Sequence, residues 1–372
     1  MAEQVRQPID LKSLERYIDR TIPEIKTPLQ VKQFGFGQSN PTYQLIAADR
    51  RKYVMRKKPP GQLLSKTAHQ VTREFKVLRA LEQTDVPAPK VYMLCEDDSV
   101  IGTAFYIMEF LDGRVITEIH FPNVSTEERT EMWRDAVRTL AKLHRVDFKK
   151  VGLSDFGRHQ GFYDRQMKTF GNLSKVQAAV QDVDTNKRVG QIPYFDELAS
   201  FLSDKSQQPA DRATLIHGDY KIDNLIYHKT EPRVIGVLDW EMATIGHPLS
   251  DVVNLVSPWS FLDQVSQAAR IAAGEPDAFS PGVTPGLPTL DQALKWYKEE
   301  SGYNVAVDLA WGNAFWGFRS AIIVQGISAR YAQRQASGKT AKQYVSQVYR
   351  YSDYAMAIVK ELRDSSRSHT RL

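Results

Sequence analysis

The spacing of apolar positions along this 372-residue chain changes near residue 111. Before that point, short apolar runs are separated by charged or Gly-rich turns. Leu29 to Phe34, Tyr43 to Ala47 and Lys52 to Arg56 read as strands, with a hairpin over Ala48-Asp49-Arg50-Arg51 joining the last two. Val71, Phe75, Leu78 and Leu81 recur at three- and four-residue spacing, which predicts a helix over His69 to Gln83. Val86-Pro87-Ala88-Pro89 stops it, and two more strands follow, Lys90 to Cys95 and Thr103 to Phe110. After Leu111-Asp112-Gly113 the spacing turns helical. Ser125-x-x-Glu128 forms a capping box for a helix through His144, whose Trp133, Ala136, Leu140 and Leu143 share a face. Further helices are expected near 173–182, 193–203, 290–300, 305–335 and 340–363, with a Pro- and Gly-rich loop from Gly274 to Leu287. The expected class is α+β and bilobal. A small antiparallel β lobe with one helix spans 1–111, and a larger, mainly helical lobe spans 112–372.

Composition narrows the reading only a little. Apolar stretches such as Ser320 to Ile327 are broken well short of a membrane span, so no span is expected. The single Cys95 excludes an internal disulfide framework and a multi-cysteine zinc site. Met1 to Asp10 lacks the apolar core of a secretory signal, which favours the cytoplasm. The alternative is the peroxisome, because Thr370-Arg371-Leu372 loosely resembles a Ser-Lys-Leu address. The net charge of +5 is uneven: residues 1–110 carry 17 basic and 13 acidic side chains, and residues 301–372 carry 10 and 4. These cations are scattered along helical patterns without interleaved aromatic residues, a distribution unlike that of a nucleic-acid binder.

The strongest chemical signal is the run Leu215-Ile216-His217-Gly218-Asp219-Tyr220-Lys221-Ile222-Asp223-Asn224, followed by the apolar strand Val234 to Leu238 and Asp239-Trp240-Glu241. Phosphoryl transfer to a hydroxyl needs one carboxylate to orient the hydroxyl and take its proton. It also needs an amide oxygen and a second carboxylate to hold Mg2+ on the nucleotide phosphates. Asp219 fits the base, Asn224 and Asp239 the metal ligands, and Lys221 a cation reaching the γ-phosphate of ATP. His217 is expected to hydrogen-bond within its loop and not to act as an acid or base.

Upstream residues suit the same chemistry. Gly35, Gly37 and Ser39 lie in a loop between two strands, where backbone N–H groups can cover phosphates. Kinases place an ion-paired Lys on the third strand; here alternation puts Arg56 in that slot, with Lys57 and Lys58 as alternatives. Glu74 borders the buried face of the first helix and can pair with that cation. Glu109 and Leu111 sit where a hinge strand offers backbone groups to adenine.

Together these motifs resemble the aminoglycoside phosphotransferase and choline kinase branch of the protein-kinase-like fold. Leu215 to Tyr227, Asp239-Trp240-Glu241 and Gly246-His247-Pro248-Leu249-Ser250-Asp251 are most similar to the subgroup found fused ahead of acyl-CoA dehydrogenases. Gly35 to Tyr43 and Tyr53 to Gly61, including Arg56, match that subgroup too. The resemblance covers about residues 25–360. It implies that Asp219 is the catalytic base, that Asn224 and Asp239 bind Mg2+, and that Asp251 anchors the loop.

Only eleven residues separate Asp239 from Asp251, too few for an extended activation loop, and Gly218 stands where regulated kinases have an Arg. A small-molecule hydroxyl acceptor is therefore expected. Three classes compete for that place: aminoglycosides, choline or ethanolamine, and a hydroxyacyl-CoA or hydroxy acid. The last is preferred because of the subgroup's fusion partner, with Arg319, Arg330, Arg334, Lys339, Lys342 and Arg350 as candidate anion contacts. Trp311 and Trp316, beside Phe315 and Phe318, are read as core and not as a cation cage. The reading from a different class is a catalytically inactive nucleotide-binding scaffold.

Overall fold

A computed structural model of the chain describes residues 2–3, 7–35, 40–59, 71–261, 272–335 and 339–369. These residues form two compact units. One is built from residues 1–119, 146–155 and 217–244, and the other from 120–145, 156–216 and 245–372.

The first unit is organised by a six-stranded antiparallel sheet of β1 (Ala2–Glu3), β2 (Gln30–Phe34), β3 (Thr42–Ile46), β4 (Lys52–Lys57), β5 (Val91–Cys95) and β6 (Phe105–Glu109). Their spatial order is β1-β2-β3-β4-β6-β5. Strand alternation gives the sheet two different faces. Tyr43, Leu45, Tyr53, Met55, Phe105 and Ile107 pack into one apolar cluster with Leu14 and Ile18 of helix α1 (Leu11–Thr21). Helix α1 was not expected from the sequence, yet Asp10 caps it by accepting from Ser13 N at 2.9 Å, and Leu14 and Ile18 share its buried face. Arg56 and Tyr106 are direct partners in the β4–β6 ladder and so point the other way. That face meets helix α2 (Val71–Leu81), the described part of the helix expected over His69 to Gln83.

A second, three-stranded antiparallel sheet in this unit joins Arg114–Val115, Leu225–Tyr227 and Val234–Val237. Its strands deliver the segments that carry Asn224 and Asp239. The 146–155 segment is tied to α2 by the Lys76–Asp155 ion pair at 2.7 Å.

The second unit is mainly helical. One of the two bonds of the expected capping box is present: Glu128 N donates to Ser125 Oγ at 3.1 Å ahead of the helix Thr126–Arg145. The helix expected over 173–182 instead runs Phe162–Ala178. Those expected over 305–335 and 340–363 run Leu309–Ala332, after a 3-10 turn at Val305–Val307, and Lys339–His369. Trp311 stacks on Phe315 at 5.6 Å within a cluster that also holds Tyr163, and Trp311, Phe315, Trp316 and Phe318 are all buried, as core packing requires. Among the described residues no helix is long and apolar enough to cross a membrane.

Candidate active site

The turn after Ile216 is built around Gly218, whose φ of +85° lies in the left-handed region. A Cβ there would stand 2.6 Å from the Met242 carbonyl oxygen, so the chain passes too close for any side chain. This approach sets Asp219 beside the 3-10 turn Trp240–Met242. His217 stitches the two segments together. Its Nδ1 accepts from Asp219 N at 3.2 Å, its Nε2 donates to Leu238 O at 2.8 Å, and its ring lies 4.7 Å from that of Trp240. Both ring nitrogens are thus committed to backbone, in keeping with the loop role expected of His217.

Asn224 closes the turn. Its Nδ2 donates to Asp219 O at 2.8 Å and to Asp219 Oδ2 at 3.2 Å, and its carbonyl accepts from Leu238 N at 2.8 Å. With the amide nitrogen spent on Asp219, Oδ1 is the side-chain acceptor that Asn224 can offer to a cation. Lys221 Nζ lies 3.3 Å from Asp219 Oδ2. Burial lowers the Lys221 ammonium, and Asp219, Asp223 and Asp239 outweigh it, leaving the group above its ordinary value. Asp223 is pushed up by burial, against the pull of Lys221.

Asp239 follows the strand Val234–Val237 and adopts φ +67°, ψ 58°. That left-handed conformation is uncommon outside Gly, Asn and Asp, and it turns the carboxylate out of the strand. Its Oδ1 lies 3.2 Å from both Nη1 and Nη2 of Arg56. Arg56 Nη1 also lies 3.0 Å from Glu74 Oε2. Glu74 is fully buried and accepts from Asn40 Nδ2 at 2.7 Å and from Tyr106 Oη at 2.9 Å. Burial pushes the Glu74 carboxyl upward, against Arg56 and the Tyr106 hydroxyl. Burial also works against the Arg56 guanidinium, and Glu74, Tyr106 and Asp239 overcome it and raise its pKa. Arg56 therefore stays a cation between two carboxylates.

The structure thus brings Asp219, Lys221, Asn224, Asp239, Arg56 and Glu74 together in one unit. Lys57 points away from this group and lies 5.9 Å from the Tyr43 ring, so strand alternation separates it from Arg56. Gly35 is exposed just after β2, whereas Gly37 and Ser39 lie outside the described residues. Glu109 N donates to Lys90 O at 2.8 Å, and Glu109 Oε2 accepts from Lys90 N at 3.2 Å. Leu111 packs where a Cβ at Gly236 would stand, and both Glu109 and Leu111 line a cavity of about 720 Å3 with Leu81, Val86, Pro87 and Ile235. Asp251 lies in the helical unit, fully buried, with Oδ2 3.3 Å from His144 Nε2; His144 Nδ1 is 2.7 Å from Tyr297 Oη. Of the basic residues proposed for anions, Arg334 is engaged by Asp182 and Asp184, and Arg350 lies over the Phe261 ring. Thr370-Arg371-Leu372 lies outside the described residues.

Sequence reasoning missed Asn40, Tyr106, His144 and Tyr297. Tyr106 was readable in principle, since alternation along β6 sets it opposite the face of Phe105 and Ile107.

The sequence profile of the phosphotransferase enzyme family matches residues 30–282. This chain belongs to that family. It is 34% identical over 365 residues to acyl-CoA dehydrogenase family member 11 of Gallus gallus, covering 97% of this chain and 45% of that protein. The human protein of the same name is 36% identical over 327 residues, covering 87% and 39%. The chain thus spans less than half the length of these relatives. A crystal structure of a Ralstonia eutropha JMP134 protein, assigned as an aminoglycoside phosphotransferase, superposes with a TM-score of 0.79 at 33% identity, covering 95% of this chain and 99% of that one. Plasmodium vivax ethanolamine kinase shares the fold, with a TM-score of 0.57 at 14% identity over 93% and 84% of the two chains. The α+β class, with an antiparallel sheet and a larger helical part, is the one expected from the sequence.

Proposed function

We propose that this chain is an ATP- and Mg2+-dependent kinase that transfers a γ-phosphoryl group to a hydroxyl of a small molecule. What carries the reading is the linked set Asp219, Asn224 and Asp239, joined to the buried Arg56–Glu74 pair within one compact unit. The donor set fits Mg2+: a carboxylate and an amide oxygen are hard ligands of the kind this ion prefers. Asn224 Oδ1 and Asp239 would hold it, and when bound it neutralises charge on the phosphates. Asp219 receives the acceptor's proton as the hydroxyl oxygen bonds to phosphorus and the bond to the leaving diphosphate breaks. Asn224, by donating to Asp219 Oδ2, fixes the carboxylate's orientation for that transfer. Lys221 sits on the same oxygen and can follow the charge onto the phosphate, and Arg56 braces Asp239.

For the acceptor we favour a hydroxylated acyl-CoA or hydroxy acid, a class supported by the acyl-CoA dehydrogenase names of relatives at 34% and 36% identity. The test is ATP consumption with Mg2+ by wild type and Asp219→Asn over hydroxyacyl-CoAs, hydroxy acids, choline, ethanolamine and aminoglycosides. Turnover by the wild type alone on the acyl class supports the proposal. Turnover confined to an amine class overturns the acceptor, and equal turnover by both proteins overturns the base.

A further inference from the structure

The two oxygens of Glu74 are divided among three donors from three different parts of the sheet. Oε2 takes the Arg56 guanidinium and the Tyr106 hydroxyl, while Oε1 takes Asn40 Nδ2 at 2.7 Å. The terminal torsion of a glutamate is broad and roughly two-fold, so donors on Oε2 alone leave the plane of the carboxylate free to rock. A donor on the second oxygen removes that freedom. Asn40 is fully buried and sits just before β3, where Thr42 Oγ1 donates to its carbonyl at 3.0 Å and Lys57 N donates to the Pro41 carbonyl at 3.1 Å. Its backbone is thus fixed by the sheet, and its side chain has one evident task. Its own Oδ1 is buried with no hydrogen-bond partner among the described residues, an arrangement that stability alone does not favour.

We infer that Asn40 is a positioning residue of the nucleotide site. By fixing the plane of Glu74 it fixes the fork of Arg56, and through Arg56 the rotamer of Asp239. This rests on the kinase reading above and extends it to a residue that touches neither phosphate nor metal. In a charge-assisted chain of this kind, geometry is transmitted because each planar group leaves its neighbour few favourable orientations.

The experiment measures binding of a fluorescent ATP analogue with Mg2+ to wild type, Asn40→Ala, Arg56→Met and the double variant, with near-ultraviolet circular dichroism to verify folding. Asn40→Ala is expected to raise Kd about tenfold while keeping the native spectrum. In the Arg56→Met background, itself weakened, the same change is expected to alter Kd by less than about twofold, because the link it acts through is gone. A merely structural role would move the melting temperature and leave that coupling at zero. If Asn40→Ala does not fold, Asn40→Leu, which keeps the volume and removes the donor without adding a charge, is read against the same thresholds. Wild-type binding with a twofold or smaller change on Asn40 substitution, or with a tenfold loss repeated in the Arg56→Met background, overturns this inference alone. No binding by the wild type overturns it together with the kinase reading.

Discussion

Gly218 and the Met242 carbonyl approach so closely that a Cβ on Gly218 would stand 2.6 Å from that oxygen. The contact joins the turn that holds Asp219 to the turn that follows Asp239. Gly218→Ala would meet both a left-handed φ, costing about 1–2 kcal/mol, and overpacking against backbone, costing about 1–3 kcal/mol. We expect a combined loss of about 2–5 kcal/mol by chemical denaturation, and a fall of about a hundredfold in turnover as Asp219 is displaced. Stability within about 0.5 kcal/mol of wild type would show that the two turns can separate freely.

Asp219 and Asp239 differ in what their loss should do. Asp219→Asn keeps shape and an acceptor for Asn224 but removes the proposed base, so nucleotide affinity should stay within about threefold while turnover falls at least about a hundredfold. Asp239→Ala removes a proposed metal ligand and a partner of Arg56, so the Mg2+-dependent part of nucleotide affinity should disappear. Titration of both variants with nucleotide, with and without Mg2+, separates the two roles.

Arg56 cannot be exchanged for Lys without loss. A single ammonium offers no planar fork to reach Asp239 with two nitrogens while keeping Glu74. Arg56→Lys should cost about 1–3 kcal/mol, the worth of a hydrogen bond to a charged group. Arg56→Ala should cost about 3–5 kcal/mol, since it leaves Glu74 buried beside only neutral donors. Urea denaturation of the pair measures both, and equal losses would mean that the charge at position 56 contributes nothing.

His247 gives the helical unit a defined pH dependence. Its Nε2 donates to Ala210 O at 3.1 Å and its Nδ1 accepts from Leu249 N at 3.2 Å, so only the neutral ring satisfies both bonds. Burial lowers its pKa to about 4, against the Ala210 carbonyl and Asp308. A depressed histidine binds fewer protons folded than unfolded. Stability is therefore complete above the unfolded value of about 6.5 and falls with pH toward about 4, by up to about 3 kcal/mol. Denaturation between pH 7 and 4 should show this slope in wild type and a shallower one in His247→Gln.

The site was legible where its residues are neighbours in sequence. His217 to Asn224 and Asp239 carry their spacing with them, and alternation along Lys52 to Lys57 favoured Arg56 but left Lys57 and Lys58 as alternatives; the fold turns Lys57 toward Tyr43. Asn40 was not legible, because its task depends on how the end of one loop meets a glutamate thirty-four residues away. The helix Phe162–Ala178 was placed too late although its buried Tyr163, Met167 and Ser174 stand at four- and seven-residue spacing; one of those three is a serine, which weakens the apolar signal. The basic face near the C-terminus read as a candidate anion site, yet Arg334 is engaged by Asp182 and Asp184, about 150 residues upstream. Pairings over such separations are set by packing, and local composition does not encode them.

The first unit is assembled from three stretches of chain, 1–119, 146–155 and 217–244, and this orders its birth on the ribosome. All six strands of its main sheet have been synthesised by residue 109, but the aspartates and asparagine proposed to carry its chemistry appear only after roughly another hundred residues destined mostly for the other unit. Domains generally fold as units as they are synthesised. Here a nascent chain stalled or truncated before residue 217 carries Arg56 and Glu74 with no Asp219, Asn224 or Asp239, so under the proposed function it is silent as a kinase in the cell that is still making it.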